Sequence, residues 1–304
     1  MNHSLTDQLI FFGTDAFSLP SLMCLITEGY EIAGVVTKPN APTGRGRKVT
    51  EPAVKRLAEA NRIPVYQPTK LSELLPILDH LHPAAGIVVA YGKLIPQAVI
   101  DCFPKGLINV HASLLPRWRG ASPIEHAILS GDDTTGVTLM QIEAGLDTGP
   151  TYTDARLQLA GHETRLSLYE QLAELGANLL SSDLEAILTG TIAPIPQDST
   201  TATTAGLITK QAGQIDWSKP AVQLEREIRA YLGWPGSHAH LAGRDVVITA
   251  ARVLEGTGQA GQAYATPSKE LAVYAGSGSL VIDQLKPVGK TEMTGAAFLN
   301  GIKL

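Results

Sequence analysis

The chain has 304 residues, 44% of them hydrophobic, which is enough for a packed core and for two domains. Its formal charge of −5, its 29 glycines and 19 prolines without periodicity, and its two cysteines argue against a broadly basic nucleic-acid binder, a collagen-like or disordered chain, and a disulfide or thiolate-metal framework. No run approaches the roughly 20 apolar residues of a membrane helix, and the first residues lack the basic flank and apolar core of a signal peptide, so a soluble, cytoplasmic protein is expected.

Residues 9–12 form a short apolar run closed by Gly13-Thr14, which reads as a buried strand entering a turn. Residues 17–28 place Phe17, Leu22, Leu25 and Ile26 on one helical face, and 33–37 read as the next strand. This alternation is that of a parallel α/β unit. Residues 51–61 and 71–81 suit helices, and 86–90 is a continuous apolar strand of the kind buried on both faces. A strand over 107–110 leads into the densest polar cluster of the chain. Residues 123–129 suit a helix, with Pro123 in the first turn where its missing amide proton costs no internal bond. Residues 136–142 are β-like, and 166–188 form a long Leu/Ala-rich helix stopped at Thr189-Gly190. Two prolines and many Ser/Thr residues over 191–204 mark a linker. Beyond it lie an amphipathic helix over 220–232 and short strands over 246–250, 270–274 and 279–284, separated by glycine-rich turns, a pattern that suits a small barrel or sandwich. The chain up to Ala205 carries 14 basic and 21 acidic residues and the remainder 10 and 8, so only the second part leans basic.

Four loops concentrate the candidate chemistry. Gly13-Thr14 lacks the G-x-G-x-x-G spacing of a dinucleotide cradle, so a turn in which Thr14 and Asp15 cap the following helix is the simpler reading. The segment from Asn40 to Lys48 follows the second strand. Its glycines and its cations Arg45, Arg47 and Lys48 suit either a solvated loop or an anion-binding lid. Asn109 and His111 are two apart on an extended strand and therefore share a side. With Ser113, Arg117 and Arg119 nearby, they make more convergent polar chemistry than a turn needs. Asp147, in Gly145-Leu146-Asp147-Thr148-Gly149, is either an Asx-turn residue or a functional carboxylate. No metal-ligand spacing, P-loop or nucleophile elbow is present. An Asn, His, Asp trio without a nucleophile of its own suits direct group transfer, in which a substrate supplies the nucleophile.

Asn109-Val110-His111, Ser113-Leu114-Leu115-Pro116 and Asp147 in its Gly-Leu-Asp-Thr-Gly setting resemble the folate-dependent formyltransferase family. Further similarity runs along most of the chain, through Phe12-Gly13-Thr14, the loop from Gly44 to Lys48, Val89-Ala90-Tyr91-Gly92, Arg117 to Ile124, Ile215-Asp216-Trp217, Ile228-Arg229-Ala230 and Trp234-Pro235-Gly236-Ser237. The resemblance implies an α/β fold: a Rossmann-like, parallel-sheet formyltransferase domain over 1–190, a linker over 191–205, and a smaller OB-like β-barrel, tRNA-binding domain over 206–304. It implies 10-formyltetrahydrofolate as co-substrate, methionyl initiator tRNA as acceptor, no metal, and a monomer. By its motifs Asn109, His111 and Asp147 are the catalytic trio, Ser113, Leu114, Leu115, Pro116, Tyr91 and Gly92 bind the folate, and Arg45, Arg47 and Lys48 contact tRNA. Two departures stand out: Asp15 occupies a position where the family often has proline, and Tyr231-Leu232-Gly233-Trp234-Pro235 replaces a more usual Asn-Pro-Trp-Pro pattern.

Overall fold

The computed structural model describes residues 7–43 and 48–302. They divide into two compact units. The first holds 1–123, 134–157 and 169–205, and the second 124–133, 158–168 and 206–304. The strands of the first unit are β1 (Leu9–Gly13), β2 (Ile32–Val36), β3 (Ala41–Thr43), β4 (Lys48–Thr50), β5 (Val65–Tyr66), β6 (Ala85–Val89), β7 (Leu107–His111), β8 (Arg119–Gly120), β9 (Thr134–Gln141), β10 (Thr151–Gln158) and β11 (Thr204–Ala205). The helices in this part of the chain are α1 (Leu19–Thr27), α2 (Ala53–Ala60), α3 (Leu75–Leu81), α4 (Gln97–Ile100), α5 (Pro123–Ser130) and α6 (Arg165–Leu188).

A seven-stranded sheet in the order β10-β9-β7-β6-β1-β2-β5 forms the first unit. Its five strands from β7 to β5 run parallel. The continuous apolar run of β1 is buried on both faces, as a central parallel strand requires. Ile10 and Phe12 join one core cluster with Val36, Leu74, Leu78, Val88, Phe103 and Leu107, while Leu9 and Phe11 alternate to the other face. The sheet is not wholly parallel, because β9 pairs antiparallel to β7. The expected helices over 17–28 and 71–81 each begin instead as a 3-10 turn, Ala16–Ser18 and Leu71–Leu74. The α-helices start only at Leu19 and Leu75, which places Pro20 and Pro76 in the first turn, where no amide proton is needed. The Asp15 carboxylate accepts the Phe17 N–H at 3.2 Å, the capping role expected of it. On α6, Gly176 lets the helix backbone approach Val110 of β7, since a Cβ there would sit 2.7 Å from Val110 Cγ1. β3 and β4 pair antiparallel, with Thr43 opposite Lys48. Arg45 and Arg47 lie outside the described residues, as does the Lys48 side chain.

The second unit is built on β12 (Ser237–Leu241), β13 (Arg244–Leu254), β14 (Ala263–Ala265), β15 (Leu271–Tyr274), β16 (Ser279–Pro287) and β17 (Met293–Thr294), with helices α7 (Ala221–Ala230) and α8 (Gly295–Leu299). The order is β12-β13-β16-β15-β14, and β17 pairs β16. This antiparallel sheet curls as a half-barrel of the OB-like class around Leu241, Ile248, Val273, Leu280, Ile282 and Leu285, closed by Leu224 and Ile228 of α7 and Phe298 of α8. Segments from earlier in the chain belong to this unit through charge-assisted bonds. Arg165 pairs with Glu125 at 2.8 Å, and Arg229 of α7 donates to the Glu163 carbonyl at 2.8 Å. The tract over 191–205 is tied to the first unit: Ile195 bridges Thr151, and β11 pairs with β8. Among the described residues no helix is long and apolar enough to cross a membrane.

Gly136 of β9 has the Ala155 carbonyl oxygen and Leu114 Cδ2 where a Cβ would sit. Gly136→Val is therefore expected to destabilise the protein by about 1–3 kcal/mol or more, read as a lowered thermal midpoint.

Candidate active site

β1, β6 and β7 are adjacent and parallel, with Gly13 opposite Val89 and Val88 opposite Asn109. Their carboxyl ends therefore deliver Thr14, Tyr91-Gly92 and His111 to one edge of the sheet, the edge at which open α/β sheets bind ligands. Thr14 Oγ1 donates to the Tyr91 carbonyl at 3.1 Å, joining the first two ends. The Tyr91 ring does not face this edge. It is 2% exposed, packs edge-on to Phe12 at 5.6 Å, and burial pushes its phenol up to about 12. What Tyr91 presents to the edge is its backbone. Gly92 is exposed with φ +68°, a left-handed backbone that glycine adopts without strain.

Val110 points toward α6, so Asn109 and His111 project from the opposite face of β7, as their spacing requires. Asn109 is half-buried and His111 is 7% exposed. His111 Nε2 lies 3.1 Å from the Trp118 carbonyl. A carbonyl only accepts, so Nε2 carries the proton and Nδ1 of the neutral ring bears the free lone pair. Nδ1 faces Asp147 Oδ2 at 3.8 Å. Between these groups the chain turns tightly. Ser113, fully buried, donates through Oγ to the Arg117 carbonyl at 2.6 Å. Thr138 of β9 donates to the Ser113 carbonyl at 2.7 Å and accepts the Leu115 N–H at 3.0 Å. Leu114, Leu115 and Pro116 are left half-buried as an apolar ledge beside the polar trio. Arg117 stacks over the Trp118 ring at 4.2 Å.

Asp147 is half-buried and adopts φ +52°, a left-handed conformation uncommon outside glycine. Its Oδ2 accepts the Gly120 N–H at 2.9 Å. Gln197 completes the arrangement. Its Nε2 donates to the Asp147 and Gly149 carbonyls at 2.9 and 2.6 Å, and its Oε1 accepts from Arg119 Nε at 2.9 Å. Asn109 and His111 thus stand together on β7, His111 and Asp147 meet across a narrow gap, and Ser113 to Pro116 border them. Gln197 and Thr138 were not anticipated. Thr138 is legible only through the β7–β9 register, which sets it opposite His111. Gln197 lies in a tract whose composition reads as linker, and nothing in the sequence ties it to a residue 50 positions earlier. Among the described residues no group of three or more His, Cys, Asp or Glu is placed to hold a metal.

Two family models match the two parts of the chain: formyl transferase over residues 8–184 and the formyl transferase C-terminal domain over 207–303. The protein class is thus a two-domain formyl transferase, which implies a folate-type one-carbon donor. The chain is 42% identical to methionyl-tRNA formyltransferase of Myxococcus xanthus, over 98% of this chain and 96% of that one, and 43% identical to that of Halorhodospira halophila, over 98% and 97%. With such identity over nearly its whole length, the chain belongs to the methionyl-tRNA formyltransferase family. Among solved structures, the N-formyltransferase of Helicobacter canadensis has a TM-score of 0.70 at 17% identity, covering 91% of this chain and 99% of that one. Methionyl-tRNA formyltransferase of Clostridium thermocellum has a TM-score of 0.57 at 15% identity, covering 93% and 99%. These structural likenesses concern the fold.

Thr138→Val preserves shape but strips the Leu115 N–H and the Ser113 carbonyl of their partner. It is expected to cost about 1–3 kcal/mol in chemical denaturation and to speed hydrogen exchange at the Leu115 amide.

Proposed function

We propose that this chain transfers the formyl group of 10-formyltetrahydrofolate to the amino group of methionyl initiator tRNA, releasing tetrahydrofolate. The observation that carries the reading is the orientation of His111: Nε2 is held by the Trp118 carbonyl, and Nδ1 is left open 3.8 Å from the Asp147 carboxylate. The ledge of Leu114, Leu115 and Pro116 beside buried polar groups fits a flat heterocycle with polar edges. The bound donor supplies an electrophilic formyl carbon; the methionyl amine forms its C–N bond there as the bond to N10 breaks, and the amine proton ends on N10.

Each residue of the trio has a separable task. The Asn109 carboxamide donates to the formyl oxygen, where negative charge grows. His111 Nδ1 is the acceptor for the amine proton, because Nε2 is already committed as a donor. The Asp147 carboxylate stabilises the imidazolium that results, and the Nδ1 proton is then available to the formyl oxygen or to the departing nitrogen. Burial of His111 lowers the local dielectric and so strengthens this charge interaction. Family resemblance assigns Arg45, Arg47 and Lys48 to the tRNA acceptor stem, where phosphate contacts supply affinity but no sequence readout. Tyr91 contributes to the donor side through its backbone, given where its ring lies.

The direct test incubates the purified protein with 10-formyltetrahydrofolate and, separately, methionyl initiator tRNA, uncharged tRNA, free methionine and sugar-nucleotide amines. Formylation confined to the charged initiator tRNA is expected; formylation of a small amine instead would overturn the reading. His111→Ala is expected to lower kcat by about 10²–10⁴-fold with little change in KM for tRNA, and an unaltered kcat would remove His111 from the mechanism. Arg45→Ala is expected to weaken tRNA use, most at low salt, and to leave the affinity for a folate analogue intact in direct titration.

A further inference from the structure

Outside the trio, one side chain bonds to both segments that hold the trio's partners. Trp118 accepts from His111, Gly120 donates to Asp147, and Arg119 lies between them. Gln197 takes Arg119 with its oxygen and the 147–149 loop with its nitrogen. We propose that Gln197 is a positioning residue for formyl transfer, holding the Asp147 loop against the 118–120 segment and so setting the gap between Asp147 and His111. The inference rests on the role given above to Asp147.

The chemistry of the three bonds selects an amide. The Arg119 guanidinium can only donate, and the Asp147 and Gly149 carbonyls can only accept. Glutamine presents one acceptor and two donors at the end of one side chain, which satisfies all three. Glutamate would keep the arginine but set an oxygen against two carbonyl oxygens. Asparagine is one methylene short. The partners need this bridge for different reasons. Arg119 is 9% exposed, and its Nη2 has no hydrogen-bond partner among the described residues. Gln197 is thus a main acceptor for a buried cation, which is costly to leave unpaired. Asp147 is held in a left-handed conformation at φ +52°, and Trp118, on the other segment, at φ +63°. Such conformations persist when surrounding bonds over-determine them. Gln197 is itself fixed by the Thr151–Ile195 bridge two residues before it, with both backbone bonds formed at 2.8–2.9 Å.

A positioning role and a purely structural one differ in their coupling to Asp147. The test compares Gln197→Ala, Asp147→Ala and the double variant by steady-state kinetics, with thermal melts alongside. Gln197→Ala is expected to lower kcat by about 10- to 100-fold while both KM values stay within about threefold. In the Asp147→Ala background the same substitution should cost less than about threefold further, because residues acting as one unit are non-additive. Should Gln197→Ala fail to fold, Gln197→Glu keeps a partner for Arg119 and is expected to show the same loss of kcat. A wild-type kcat in the Gln197 variants, or losses that multiply in the double variant, would overturn the positioning role. If Asp147→Ala itself retained full activity, the assignment of Asp147 would fall first, and that result is distinguishable because it precedes any effect of Gln197.

Discussion

The polar edge of the first sheet depends on the separation of two side chains, His111 and Asp147, that arrive from opposite directions. His111 ends a parallel strand and is locked by the Trp118 carbonyl. Asp147 lies beyond β9, which runs antiparallel to β7, so the end of β9 lies beside Ile108 rather than His111. The loop over 142–150 must therefore fold back along the sheet to bring the Asp147 carboxylate within 3.8 Å of the imidazole. Folding back exposes a loop to conformational freedom that would be costly to restrict on every turnover. The bonds from Gly120 and Gln197 restrict it in advance.

Placing the proposed general base and its charge-stabilising carboxylate on separate, independently anchored elements is a form of preorganisation. The strand gives Asn109 and His111 a fixed direction through period-2 alternation, and Gly176 lets α6 press against Val110 to hold that strand. The turn from Ser113 to Arg117 is held by its own buried hydroxyl and by Thr138. The apolar ledge and the polar trio thus share one support. The Thr138 bonds reach the turn, and the register of the same residue sets it opposite His111.

The two units answer different demands. The first is a sheet buried on both faces, whose strand ends collect polar groups at one edge. The second encloses a separate apolar core within a curled antiparallel sheet. It also takes in 124–133 and 158–168, held by Arg165 to Glu125 and by Arg229 to the Glu163 carbonyl. Contiguity along the chain and membership of a compact unit are therefore not the same here.

The sequence by itself determined the α/β character of the first part, since short apolar runs such as Leu9-Ile10-Phe11-Phe12 alternate with helix-period segments at the spacing of parallel α/β units. It also determined that Asn109 and His111 share a side, because extended backbone alternates, whereas the helices expected over 17–28 and 71–81 become α-helical only at Leu19 and Leu75. Ser237-His238-Ala239-His240-Leu241 did not read as a strand, because two of its three inward positions are Ser and Ala and its outward ones are histidines. Only pairing with β13 makes it one. The antiparallel direction of β9, the ring of Tyr91 turned into the core, the tautomer of His111 and the reach of Gln197 across 50 residues were decided by tertiary structure alone. The physical reason is common to them. Local periodicity reports which face a side chain occupies, whereas a hydrogen bond between distant segments depends on where the whole chain has already placed both partners.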